Sequence, residues 1–266
     1  MTETWRILPE LGEGEPIAAH DGAPRLVRDA RGWHLRLDRP AEHNRLDPAD
    51  VDALTDLFAT LTANNAPPSI VISGTGGRSF SSGYTLSAIT EQLDDRFETM
   101  LDTLEGLPCL TIAALNGGVY GGATDLALCC DIRLGDHEMR MFMPAARIGL
   151  HYYPGGLRRY VTRLGLTAAS KLMLTSMTVQ ADELLRIGFL TELLAARSLA
   201  ARVAEYRDAA AANAAPVVAR MKAHMQAIAH GLAADDPRYE IMRADYAAST
   251  QSHDLRERLA ATLKKR

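Results

Sequence analysis

The 266-residue sequence has little cysteine: only Cys109, Cys129 and Cys130 occur. Three thiols, two of them adjacent in an apolar run, make neither a disulfide framework nor a metal-ligand spacing. They read as buried, reduced thiols of a cytoplasmic protein. Positive charge is not in excess either. Lys plus Arg number 29 against 33 Asp plus Glu, a formal net charge of −4. Nucleic acid is therefore not expected as a partner, since phosphate backbones call for a basic surface. A small phosphorylated ligand held by a few local cations stays open. No apolar run reaches the roughly 18 residues of a membrane span. The N-terminal MTETWRILPELGEGE is acidic and lacks an apolar core, so neither a membrane anchor nor a signal peptide is expected. No GxGxxG follows a strand, and no His/Cys/carboxylate cluster has ligand spacing, so neither a dinucleotide nor a metal is expected as cofactor. Internal repeats are also absent.

What is present is ordinary globular material, 47% hydrophobic and 23% charged, enough for one large α/β domain with a helical appendage. Residues 1–24 are polar and non-periodic and read as an arm. Leu26–Val27, then Trp33, Leu35 and Leu37 in alternation about an Asp29–Gly32 turn, predict a hairpin. Asp47-Pro48 is a helix entry, and Val51, Leu54, Leu57, Phe58 and Leu61 carry helical spacing towards Asn64. Buried strands are expected over 69–76 and 111–117, with a helix over roughly 90–106 between them. From about residue 165 the pattern is almost wholly helical. Strands alternating with helices and then a helical tail predict an α/β core over 25–200 and a C-terminal helical region over 201–266.

Two glycine segments carry the chemical interest. In GGRSFSSGYTL (76–86), Gly83 permits a close approach or a positive φ, which leaves a backbone N–H free to meet a ligand oxygen. An ordinary glycine loop is the plain alternative. In NGGVYGGATDLALCCD (116–131), a buried strand breaks into glycines and an apolar helix begins. Such a helix N-terminus favours negative charge. Asp125 falls in the first turn, either as a helix-dipole partner or as a carboxylate beside an anion-stabilising site.

These segments, with LDRPAEHNRLDPADVDAL (37–54), PAARIGLHYYPGGLRRYVTRLG and LTSMTVQADELLRIGFLTELL, resemble the enoyl-CoA hydratase/isomerase (crotonase) superfamily over nearly the whole chain. The resemblance implies the superfamily's ββα spiral, a C-terminal region that makes a homotrimer or dimer of trimers, and an acyl-coenzyme A thioester as ligand with no further cofactor. It implies an oxyanion hole made by the backbone N–H groups of Tyr84 and Gly122. Coenzyme A is expected along Arg45 and Leu46 of HNRLD (43–47) and beside Gly83 and Gly121. Arg45 is either a phosphate contact or a surface arginine, and Lys264, Lys265 and Arg266 are a second candidate for the phosphates.

The resemblance also marks departures. Hydratases of the family use two glutamates. The first position holds Asp125 and the second holds Ala145, which can neither take nor give a proton. Replacements are sought in LHYYPGG (150–156). Tyr152 matches the active-site tyrosine of a methylmalonyl-CoA decarboxylase-like branch, and His151 is a general acid or base candidate near pH 7, or a solvated side chain. Thr85 stands where many relatives have aspartate, and a looser or reshaped loop is expected. Asp131 is assigned a structural hydrogen-bonding role, and Met139, Met141 and Met143 are assigned to core packing. The leading expectation is a hydratase/isomerase-class enzyme acting through a thioester enolate. The alternatives are a decarboxylase of a malonyl-type thioester and a non-catalytic acyl-CoA binder. On this reading Asp125→Asn costs activity while the isosteric amide spares the fold.

Overall fold

The computed structural model describes residues 14–62, 65–233 and 236–263. The expectations for residues 1–13, for Asn64 and for Lys264, Lys265 and Arg266 lie outside the described residues. The arm contributes one short edge strand, β1 (Glu15–Pro16), which pairs antiparallel with β2 (Arg25–Asp29). β2 and β3 (Gly32–Leu37) form the expected hairpin, with Leu26 opposite Leu35 and Asp29 opposite Gly32. Alternation places Leu26, Leu35 and Leu37 in the core.

Helix α1 (Pro48–Ala59) begins where the sequence predicts, with Pro48 at the first helical position. The Asp50 carboxylate accepts the Asp47 N–H at 2.8 Å, half of a capping box. The helix stops short of the expected end. Thr60 Oγ1 turns back onto the Leu57 carbonyl, and Asn65 Oδ1 takes the Thr62 N–H. These local side-chain bonds compete with helix continuation.

Beyond α1 the chain repeats one unit three times. β4 (Ser69–Gly74), β5 (Ser79–Ser81) and α3 (Asp95–Glu105), preceded by the short α2 (Ile89–Gln92), make the first turn. β6 (Leu110–Leu115), β7 (Gly118–Tyr120) and α4 (Gly122–Cys129) make the second. β8 (Ile132–Asp136), β9 (Arg140–Phe142) and α5 (Pro154–Leu164) make the third. This is the ββα spiral in order. The first strands of each turn join a seven-stranded sheet, β1-β2-β3-β4-β6-β8-β11, which is parallel from β3 onward. The second strands form a four-stranded sheet, β10-β9-β7-β5.

After α6 (Leu166–Thr175) the chain is not wholly helical. β10 (Val179–Gln180) pairs with β9, and β11 (Glu192–Leu194) pairs with β8, on either side of α7 (Ala181–Arg186). Strands of two and three residues are too short to display alternation, so their pairing is set by the sheets they join. α8 (Leu199–Ala211), α9 (Ala215–Ala229), α10 (Arg238–Thr250) and α11 (His253–Leu263) follow.

The large sheet is buried on both faces, which is why β4 and β6 read as continuous apolar runs. Ile70 and Ile72 enter the main core, while Val71, Ile112, Ala114 and Leu134 pack on the other side against Leu199 and Val203 of α8. Met139, Met141 and Met143 are buried in the main core. Asp131 Oδ2 accepts from Thr111 N and Lys222 Nζ, tying β6 to α9, which is a structural role. The cysteines are free and buried. Burial pushes the Cys109 and Cys130 thiols up to about 12, so neither is a thiolate at neutral pH.

Candidate active site

A cavity of about 800 Å³ lies where the three spiral turns meet, within the size range of small-molecule sites. The loop after β5 supplies Tyr84, the β7–α4 junction supplies Gly121 and Gly122, and the β9–α5 segment supplies Ala145, His151, Tyr152 and Tyr153. α2 and the start of α3 complete the wall. Aromatic edges run continuously along it. Tyr84 meets Phe97 edge-on at 5.4 Å, Phe97 meets Tyr153 at 6.1 Å, and Tyr153 stacks on Tyr152 at 4.3 Å. The Tyr84 hydroxyl donates to the Gln92 carbonyl at 3.0 Å, so its ring is braced against the end of α2.

Two backbone N–H groups converge here. Leu46 and Tyr84 form an isolated parallel bridge in which Leu46 N donates to the Gly83 carbonyl and Thr85 N donates to the Leu46 carbonyl. That pattern uses the groups flanking Tyr84 and leaves the Tyr84 N–H outside the pairing. Gly122 opens α4, so its N–H has no partner within the helix. Among the described residues neither N–H donates a hydrogen bond. They are close together: a Cβ added to Gly122 would lie 3.6 Å from Tyr84 N. Gly83, at φ +84°, makes this possible, because a Cβ there would stand 2.6 Å from Gly122 N.

Asp125 lies behind the cavity wall rather than on it. Its side chain is fully buried. Arg159, also fully buried, grips it with two bonds, Nε to Oδ1 at 2.9 Å and Nη2 to Oδ2 at 3.0 Å. Such a bidentate pair is the strong form of the interaction. The Tyr153 hydroxyl adds a third bond, to Oδ2 at 2.5 Å. Arg159 also donates to Asp102 at 2.5 Å and to Glu105 at 3.3 Å. The Arg159 guanidinium is held well above its ordinary pKa: burial opposes its charge, but its anionic partners, Asp125 foremost and then Asp102, together with its other neighbours outweigh that. Burial, and then the Asp125 charge, push the Tyr152, Tyr153 and Tyr160 phenols far up.

Of the other sequence candidates, Tyr152 lines the cavity and shares a 3.0 Å hydrogen bond with the Tyr153 hydroxyl. Gly156 lets it sit there, since a Cβ on Gly156 would be 2.3 Å from the Tyr152 ring. His151 lines the cavity and is exposed. Ala145 adds only a methyl group to the lining. Arg45 reaches the cavity, yet its charge is engaged by Glu42 at 2.6 Å and by Asp47. Leu46 is buried and takes part through its backbone. Gly83 lies under the wall and Gly121 on it. Thr85 does not loosen its loop: its hydroxyl donates to the Leu46 carbonyl at 3.1 Å and contacts Asp47.

Sequence reasoning missed Arg159, 34 positions from Asp125, and Glu98, a cavity carboxylate whose Oε1 caps α5 through the Gly155 N–H at 2.7 Å. It included Tyr153 in LHYYPGG, without giving it the contact to Asp125. A signal for Glu98 existed, an acid one helical turn before Asp102 on the exposed side of an amphipathic helix. For Arg159 none did.

Comparison with known proteins extends this picture. The sequence profile of the family described as Enoyl-CoA hydratase/isomerase matches residues 33–266. The short-chain-enoyl-CoA hydratase of Clostridium acetobutylicum is 26% identical over 249 residues, covering 91% of this chain and 94% of that protein. The crotonyl-CoA hydratase of Syntrophomonas wolfei is 27% identical over 243 residues, covering 87% and 91%. Among solved structures, DspI of Pseudomonas aeruginosa superimposes with a TM-score of 0.83 at 22% identity, covering 94% of this chain and 96% of that one.

Proposed function

The chain belongs to the enoyl-CoA hydratase/isomerase family, and from that premise we propose that it binds an acyl-coenzyme A thioester and stabilises its enolate with the N–H groups of Tyr84 and Gly122. One observation carries this reading: two unbonded N–H groups side by side on an apolar cavity wall. Fixed dipoles aimed at a developing oxyanion are typically worth about 3–4 kcal/mol for one donor. The same dipoles supply the charge stabilisation without a metal or redox cofactor. Exchange of the α-proton of a bound acyl-CoA in deuterium oxide, read by mass spectrometry, tests it. Binding without exchange would sink proton abstraction at this site and leave a carrier of acyl-CoA or a decarboxylase.

Coenzyme A would lie along Arg45 and the Leu46 backbone and pass Gly83 and Gly121 into the cavity. A stripe on α9 supports assembly through the helical region. Val217, Met221, Met225 and Ile228 recur at helical spacing and are between 40% and 61% exposed. The expected state is a trimer or dimer of trimers in the cytoplasm, and a monomer by light scattering at micromolar concentration would refute it.

A second reading, decarboxylation of a malonyl-type thioester, is favoured by one feature. Ala145 offers no base and Asp125 is fully engaged by Arg159 and Tyr153, whereas loss of carbon dioxide forms an enolate without proton abstraction. Incubation with enoyl-, hydroxyacyl- and malonyl-type CoA esters, with products identified by mass, separates the two.

A further inference from the structure

Each tyrosine hydroxyl in the Tyr152–Tyr153–Asp125 chain carries one proton, and that count sets the direction in which the chain points. Asp125 meets Arg159 through both oxygens, so it is a carboxylate and can only accept. Tyr153 spends its proton on Asp125 Oδ2. The 3.0 Å contact between the two hydroxyls must then be donated by Tyr152, because Tyr153 has no second proton to give. Both phenols stay protonated at neutral pH, since burial pushes them up. The Tyr152 oxygen is left with lone pairs and no proton for the cavity it lines. Among the described residues no other group bonds to it.

From this order we propose that Arg159 and Asp125 are positioning residues that fix the direction of the tyrosine pair, so that Tyr152 meets the ligand as a hydrogen-bond acceptor and selects acyl groups bearing a hydroxyl over those bearing a carboxylate. A ligand carboxylate would bring lone pairs against lone pairs, with the Asp125 charge two hydroxyls behind. A ligand hydroxyl supplies the proton that the chain lacks at its open end. Arg159 matters because its two N–H groups hold both Asp125 oxygens as acceptors. Without that acceptor the chain would be free to run the other way and offer the ligand a donor. The inference rests on the acyl-CoA reading and narrows it, turning the site away from malonyl-type esters.

The test compares three four-carbon esters: butyryl-CoA, 3-hydroxybutyryl-CoA with a hydroxyl on the β-carbon, and succinyl-CoA with a carboxylate in place of the γ-methyl, titrated calorimetrically into the wild-type protein, Tyr153→Phe and Tyr152→Phe. If the protein interconverts the hydroxy ester with its enoyl form, the hydroxy ester remains the major species at equilibrium. A hydrogen bond to a group polarised by a charge is worth about a factor of ten. In the wild type, 3-hydroxybutyryl-CoA should therefore bind about fivefold to tenfold more tightly than butyryl-CoA, and succinyl-CoA more weakly than either. Tyr153→Phe keeps the ring and frees the Tyr152 proton. The hydroxyl preference should fall below about twofold, and succinyl-CoA should gain about fivefold. Tyr152→Phe removes the acceptor itself and should abolish the hydroxyl preference. Wild-type binding of succinyl-CoA as tight as that of the hydroxy ester would overturn the proposal, as would unchanged ratios in Tyr153→Phe. Failure of all three esters to bind would instead remove the acyl-CoA reading and the proposal with it.

Discussion

Asp125→Asn now has a different expected outcome from the one its isosteric shape suggests. The carboxylate accepts three bonds, from Arg159 Nε, Arg159 Nη2 and the Tyr153 hydroxyl. The amide has one acceptor oxygen, and whichever way it turns, its NH2 faces one arm of the guanidinium. A fully buried cation thus loses a fully buried anion. Breaking such a pair by neutralising one partner costs about 3–5 kcal/mol. Arg159 keeps Asp102 and Glu105, which places the loss near the lower bound, about 3 kcal/mol. For a chain of this size the melting temperature should fall by about 6–12 °C. Circular dichroism melts at one fixed protein concentration measure it, because assembly makes melting concentration-dependent. Asp125→Leu combined with Arg159→Met should recover at least half of the loss, since an apolar pair leaves no buried charge unmatched. A melting temperature within about 2 °C of wild type in Asp125→Asn, with activity reduced more than a hundredfold, would refute this reasoning and return Asp125 to direct proton transfer.

Three further outcomes follow from the structure. Gly83→Ala forces a methyl group to within 2.6 Å of Gly122 N at a positive φ, and it should cost about 10²-fold or more in activity, as loss of one oxyanion donor does; steady-state rates near wild type would show that the hole lies elsewhere. Hydration of crotonyl-CoA should be much slower than in a two-glutamate relative, because a missing acid–base group commonly removes about 10²–10⁴-fold; a side-by-side assay giving equal rates would contradict it. His34 is buried beside Arg36 and Arg207, and burial first, then those charges, hold its imidazole down to about 3. It is neutral in the folded chain and takes a proton on unfolding near its ordinary value. Its contribution is complete above about pH 6.5 and is lost as pH falls towards 3, about 2 kcal/mol between pH 7 and pH 5. Denaturation curves at those two pH values, compared with His34→Gln, measure it; a His34 ring resonance titrating near pH 6.5 in the native protein would exclude it.

Local rules carried much of the fold. Asp47-Pro48 announced α1, the apolar runs in 69–74 and 110–115 announced the central strands, and the glycine breaks after β5 and β7 marked the segments that line the cavity. Errors arose where local signals competed. The single helix expected over 90–106 is two, because Asp94 accepts the Arg96 N–H at 3.0 Å and starts α3 afresh. That cap is readable in QLDDRF, residues 92–97. The cavity's backbone was legible at its glycines, Gly83, Gly121 and Gly122, while the roles proposed for the Tyr84 and Gly122 N–H groups are what the family resemblance implies. The site was illegible where it is side chain. Asp125 and Arg159 sit on different helices, and nothing within either segment tells whether an acid will face a ligand or a guanidinium.

The three-turn construction separates two tasks along the chain. On the proposed reading, the first and second turns, through the Tyr84 and Gly122 N–H groups, supply the grip on the carbonyl from main-chain atoms. The third turn, through Ala145, Tyr152 and Tyr153, contributes side chains to the same cavity. Substitutions among those side chains would then redirect the reaction while leaving the main-chain hold on the thioester intact.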